Sequence, residues 1–143
     1  MSAKLGREHA PLEFGLRVTT LVRDTSEQAW RDAEAKVATL AGTPTMQLLH
    51  DPKGSAGQRR LSDLAARGEV LDSCLYTTPS KYGGEGAGTT WLVGSAAEVA
   101  AALRKYADLG VSHFVLSDTP YKSETVRLGD ELLPLLRPDV VGN

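Results

Sequence analysis

Three stretches of the chain carry side chains whose types and spacing could do chemistry. "KYGGEGAGTTWLVGS" (Lys81–Ser95) places four glycines, Gly83, Gly84, Gly86 and Gly88, within six residues. A loop that cradles a dinucleotide phosphate needs G-x-G-x-x-G directly after a strand and opening a helix. Here the third glycine of that pattern is missing, no clear strand precedes, and the next helix start is Ser95. A Walker-type lysine–serine/threonine pair is missing as well. The spacing fits a mobile surface connection or lid better than a phosphate cradle. Arg17, in the middle of "FGLRVTTLV", offers a guanidinium that must find an acceptor if it is buried. At a sheet edge it would reach solvent instead. "SDTPYK" (Ser117–Lys122) gathers one carboxylate, Asp118, with the hydroxyls of Ser117, Thr119 and Tyr121 after an apolar strand. Loops in that position carry ligand sites in α/β folds, although the same residues also make an ordinary turn into a helix.

Other chemistries are poorly supported. His9, His50 and His113 have no metal-ligand spacing, so no metal site is expected. Cys74 is the one cysteine and has no companion motif; a partly buried thiol in a reducing cytoplasm is the expectation. No Ser/His/Asp or Cys/His arrangement is apparent. The net charge of −2 and pI of about 5.9 give no basic excess for nucleic acid or anionic membrane. No apolar run approaches the ~18 residues of a membrane span, and "MSAKLGREHAPLEF" has no secretory apolar region.

The elements that must position these groups follow from periodicity. The 143 residues suit one domain. Phe14–Val22 alternates, with Phe14, Leu16, Val18, Thr20 and Val22 on one face and Arg17, Thr19 and Leu21 on the other. Thr25 with Gln28 fits a capping box, and Trp30, Ala33, Val37 and Leu40 recur at helical spacing up to Gly42 and Pro44. Ser95 and Glu98 repeat the capping-box spacing ahead of Val99, Ala102, Leu103 and Tyr106, and Gly110 ends that helix. "VSHFVLS" (Val111–Ser117) is nearly all apolar, as a strand covered on both faces would be. A last helix over Ser123–Leu136 would pack through Val126, Leu128, Leu132, Leu133 and Leu136. Gly42–Trp91 shows no clear strand; short helices are expected near Thr45–His50 and over Gly57–Arg67. Two strands alone are marginal, so either strands are hidden in the middle or another chain completes the sheet.

Taken together, "FGLRVTTLVRDTSEQAW", "GEGAGTTWLVGSAAEVAAALRKYADLGVSHFVLSDTPY", "LGDELLPLLRP" and "GQRRL" resemble the C-terminal part of flavin-dependent alkanesulfonate monooxygenases, in the bacterial luciferase-like superfamily. The resemblance implies an α/β fold, a partial (β/α)8 TIM barrel. The chain would supply the last two βα units (strand and helix over 13–41; helix, strand and helix over 95–138) and a long insertion, 42–94, with the glycine-rich loop. The N-terminal part of such a protein has no counterpart here, as in a split subunit or a truncated or remodelled protein. It further implies reduced FMN from a separate reductase. Arg17 matches the family's inward arginine on this strand, whereas Thr19 stands where a histidine is common. Lys81 is the nearest cation to the loop position of an active-site arginine. Asp118-Thr119-Pro120-Tyr121 replaces a Gly-Tyr-Pro-His run and keeps only the proline. On this basis Arg17 and Tyr121 are the catalytic candidates, and Thr19, Thr119 and Lys81 the cofactor-binding ones. Fewer cations at the site mouth mean weaker recognition of an anionic head group.

Two functions are open, the first of them implied by the resemblance. One is a cytoplasmic component of a reduced-flavin monooxygenase, completed by a chain bearing the first strands of the barrel or by homo-oligomerisation. In it Arg17 orients an anion, Thr119 and Tyr121 donate hydrogen bonds, and the glycine loop closes over the site. The other is a non-catalytic barrel remnant that self-associates to cover its strand edges.

Overall fold

The computed structural model describes residues 11–42, 56–72, 74–81 and 90–137. The expected short helix near Thr45–His50 and the glycines Gly83–Gly88 lie outside the described residues. In chain order the elements are β1 (Phe14–Arg23), α1 (Ser26–Ala41), α2 (Ala56–Arg67), β2 (Val70–Leu71), β3 (Leu75–Tyr76), a single 3₁₀ turn (Thr78–Lys81), β4 (Trp91–Ser95), α3 (Ala96–Asp108), β5 (Val111–Ser117) and α4 (Tyr121–Arg127). A π-helical segment, Leu128–Leu132, and a final turn α5 (Leu133–Leu136) continue α4.

Among the described residues five strands form one open sheet in the order β2-β3-β4-β1-β5. β1 is its centre, parallel to β4 on one side and to β5 on the other. β2 and β3 form a small antiparallel hairpin on the β4 edge. An open α/β sheet is compatible with a piece of the expected barrel, but the order differs from the barrel pattern. There, chain-consecutive strands adjoin and every helix stands on the outside; here β1 separates β4 from β5. The crossover β1–α1–β4 runs one way across the sheet and β4–α3–β5 runs back. Right-handed connections in opposite directions put their helices on opposite faces.

The packing confirms two layers of helix around the sheet. Val18, Val22 and Leu92 point to one face and pack with Val99, Ala100, Ala102 and Leu103 of α3 and with Leu128 and Leu132. Leu21, Trp91 and Val93 point to the other and pack with Ala29, Ala33 and Val37 of α1. There Tyr76 stands edge-on to both Trp30 and Trp91, with ring centroids 5.2 and 6.2 Å away, tying the hairpin to α1. Each residue named in these two layers is nearly or fully buried except Trp30, which is half-buried.

The helix starts follow their caps. Ser95 Oγ accepts from Glu98 N at 3.4 Å while Glu98 Oε2 accepts from Ser95 N at 2.7 Å, a complete capping box. At α1 the Thr25 hydroxyl accepts from Gln28 N at 3.2 Å. The last helix is interrupted: Leu133 N bonds back to Leu128 O, five residues away. Pro134 follows at once, and its ring cannot sit over an ordinary helical carbonyl, so the wider π turn gives it room.

Two expectations need correction. The stretch up to Trp91 contains strands: β2 and β3 lie within it, and β4 begins at Trp91. They escape periodicity because two- and five-residue strands are too short to show any. β5 is not covered on both faces. α1 packs on β1 and β4 and stops there, leaving Val115 59% exposed and His113 open to solvent. Cys74, expected to be partly buried, is buried, and burial raises its thiol pKa.

Candidate functional site

The C-terminal ends of parallel strands are where α/β sheets hold ligands, most readily where neighbouring connections leave on opposite faces. β1 and β5 meet that condition. The connection after β1 leads to α1 on one face, and the one after β5 leads to the Leu128–Leu132 segment on the other.

A network of charges closes this end. Asp118, the residue after β5, is 5% exposed. Its Oδ1 accepts from Lys36 Nζ of α1 at 2.8 Å and from Thr119 N at 2.7 Å. Lys36 Nζ also donates to Thr119 O at 2.7 Å, so one ammonium clamps the turn to α1 from two points. Asp118 Oδ2 is buried and makes no hydrogen bond among the described residues. Burial raises the carboxyl pKa, with Lys36 and the Thr119 amide pulling against it. Beside this clamp Arg23, at the end of β1, donates to Asp32 at 2.7 Å, to Glu124 at 2.9 Å and to Val22 O at 2.8 Å. Burial by itself would lower the Arg23 pKa; the two carboxylates more than offset it. The Glu124 side chain is 7% exposed and lies 3.9 Å from Arg127 as well. The network joins β1, α1, β5 and α4.

The residues expected to act are distributed along the sheet. Thr119 and Tyr121 stand at this end, Tyr121 56% exposed and Thr119 half-buried in the clamped turn. Thr19 pairs in register with Ser117 and Trp91 and is buried. Arg17 is exposed on the face that α1 leaves open, level with Val115. Val115 precedes Thr119 by four residues, roughly 13 Å at ~3.3 Å per residue. Lys81 ends the 3₁₀ turn, and its side chain lies outside the described residues.

Within this one chain these positions do not gather into a flavin cradle. Thr19 is sealed inside the sheet, Arg17 opens to solvent, and the Thr119 carbonyl is held by Lys36. What the arrangement does is to fix a turn that presents the Thr119 and Tyr121 side chains at the strand ends. Sequence reading did not single out Lys36, Arg23, Asp32 or Glu124. Their partners are up to 101 residues away, and the available signal was an arginine ending a strand and a glutamate on the inner face of a helix. No group of metal-ligating side chains occurs among the described residues, and no described helix is long and apolar enough to cross a membrane.

Residues 1–113 match the family model described as luciferase-like monooxygenase. That span covers β1, α1, the hairpin, β4, α3 and the first residues of β5. The chain therefore belongs to the luciferase-like monooxygenase family.

Proposed function

We propose that this chain is a component of a reduced-flavin-dependent monooxygenase that acts on a small organic substrate with O2, its site completed by a second chain. Family membership over residues 1–113 is the observation that carries this reading. The exposed Arg17 supports it: a mid-strand guanidinium on an uncovered face is placed to hold an anion once another surface closes over it. The Lys36 clamp would hold Thr119 and Tyr121 steady at the strand ends, so their hydroxyls are pre-oriented donors. Reduced FMN from a separate reductase would supply the redox chemistry, and most of its contacts would come from the completing chain.

A second reading is a non-catalytic module that self-associates. It is favoured by the scatter of the expected site residues along β1 and β5. One experiment separates the two. The purified chain, alone and mixed with a chain carrying the other strands of a luciferase-like barrel, is titrated with FMN and assayed for reductase-coupled O2 consumption. Flavin binding and turnover in the mixture, lowered by Arg17→Met, would support the enzyme component. An inert mixture would remove it.

A further inference from the structure

Among the described residues β5 is the outermost strand of the sheet, and its sequence, "VSHFVLS", contains no charged residue. Edge strands are commonly guarded by lysine, proline, a bulge or a covering loop, because their backbone groups can template another strand. Within Val111–Ser117 no charge or proline provides that guard; the register breaks at Ser112, and from His113 to Ser117 the strand is regular. On the open face of the strand Val115 is 59% exposed.

We propose that this edge is a docking surface for a second copy of the chain, joined β5 to β5 in antiparallel fashion about a twofold axis at Phe114. The strand is self-complementary in this register. Phe114 meets itself on the face packed by α3, and Val115 lies opposite His113 of the second copy on the open face.

Charge complementarity selects a second copy over other occupants. The open face carries Arg17, level with Val115, and Glu13, whose carboxylate lies 3.8 Å from His113 Nε2. Among the described residues Arg17 makes no ion pair. Antiparallel pairing centred on Phe114 brings Val115 against His113 of the second copy, and so turns each Arg17 toward the Glu13 that accompanies that histidine. β1 of one copy and β5 of the other are two strand spacings apart, about 10 Å, which an extended arginine and glutamate span together. Gly15, beside His113 in register, places no side chain in the path. Two such contacts form per dimer, one on each side of the axis.

The inference rests on the self-associating reading, since a chain completing the barrel would need the same β5 edge, and its test contains no flavin, so the two readings fail separately. Sedimentation velocity on the full chain, over a range of concentrations and salt, is expected to show a reversible dimer that weakens as salt rises. Val115→Lys, which puts a charge on the edge, should leave a monomer whose melting curve matches that of the wild type at concentrations where the wild type is dissociated. Arg17→Glu and Glu13→Arg should each weaken the dimer about tenfold. The double variant should return to within about threefold of wild type, since it restores opposite signs across the axis. A chain that stays monomeric, a dimer indifferent to Val115→Lys, or a double variant no tighter than the singles would overturn the proposal. So would dimers that form only after residues 1–10 are deleted, which would make the chain's own N-terminal segment the occupant.

Discussion

The two ends of β1 have opposite surroundings. From Val18 to Val22 every side chain is at most 5% exposed, between α1 on one face and α3 on the other. At Arg17, next to Val18 and on the face that α1 covers further along, the same strand meets solvent, as does Val115 on the neighbouring strand. The sequence is apolar and β-branched along most of this length. The difference comes from topology: α1 crosses toward β4, so the opposite flank of its face, β5 and the start of β1, receives no helix. A central strand can therefore carry a core residue and a docking residue on one face a few positions apart.

The largest expected effect contrasts the two halves directly. Leu21→Ala empties a fully buried site and should lower stability by about 2–5 kcal/mol in urea unfolding. Val115→Ala in the open half should change it by less than about 0.5 kcal/mol under conditions where the chain is monomeric. Equal losses would mean that the open half is covered in solution.

Next comes the charge network at the sealed end. Arg23→Met leaves the buried Glu124 carboxylate without its nearest cation, and a loss of about 3 kcal/mol is expected. Adding Glu124→Gln should recover a large part of it, because the stranded charge is then gone. Urea unfolding of the single and double variants measures the coupling. Additive losses would show that the contact is incidental.

A smaller effect is expected at Gly94. A Cβ there would lie 2.7 Å from Glu98 Oε2 and 3.1 Å from Glu98 Cβ, so Gly94→Ala must push the capping carboxylate aside. A loss of about 1–3 kcal/mol and lower helicity in α3 should follow, read by denaturation and circular dichroism. Unchanged stability would mean that the cap yields freely.

Much of the sealed half was legible from residue types. The alternation in β1, the Ser95–Glu98 box, and the stripes Ala33–Val37 and Val99–Ala102–Leu103 appear where local pattern places them. β4 was hidden because Trp91–Ser95 reads as an apolar run leading into a helix cap, and the hairpin because two-residue strands have no period. β5 shows the limit most clearly. An apolar strand reads as buried on both faces, yet neighbour order decides what covers it, and order is not a local property. The clamp by Lys36 was beyond reach for the same reason: its partners are brought to α1 only by the crossover.

The smallest effects are in pH dependence, where two carboxylates have opposite signs. Burial raises the Asp118 pKa in the folded chain, so its contribution is fully present below the unfolded aspartate value and is lost as pH rises through the folded one. Asp118→Asn should remove that decline. Glu98 is held below the usual glutamate range, chiefly by the Ser95 amide, so its contribution is present above the unfolded value and fades as pH falls through the folded one. Glu98→Gln should remove that acid-side loss. Denaturation midpoints of the two variants against wild type, followed as pH falls and as it rises from neutrality, would test the signs.

Hydrogen exchange on the full chain at two concentrations tests the contrast between the halves most directly. The account predicts that amides of Val18–Val22 and Leu92–Val93 exchange only through global unfolding at both concentrations. The β5 amides that point away from β1 should exchange quickly in dilute solution and slow on concentration, as the edge becomes paired. A β5 as protected in dilute solution as the centre of β1, or one whose exchange ignores concentration, would contradict it.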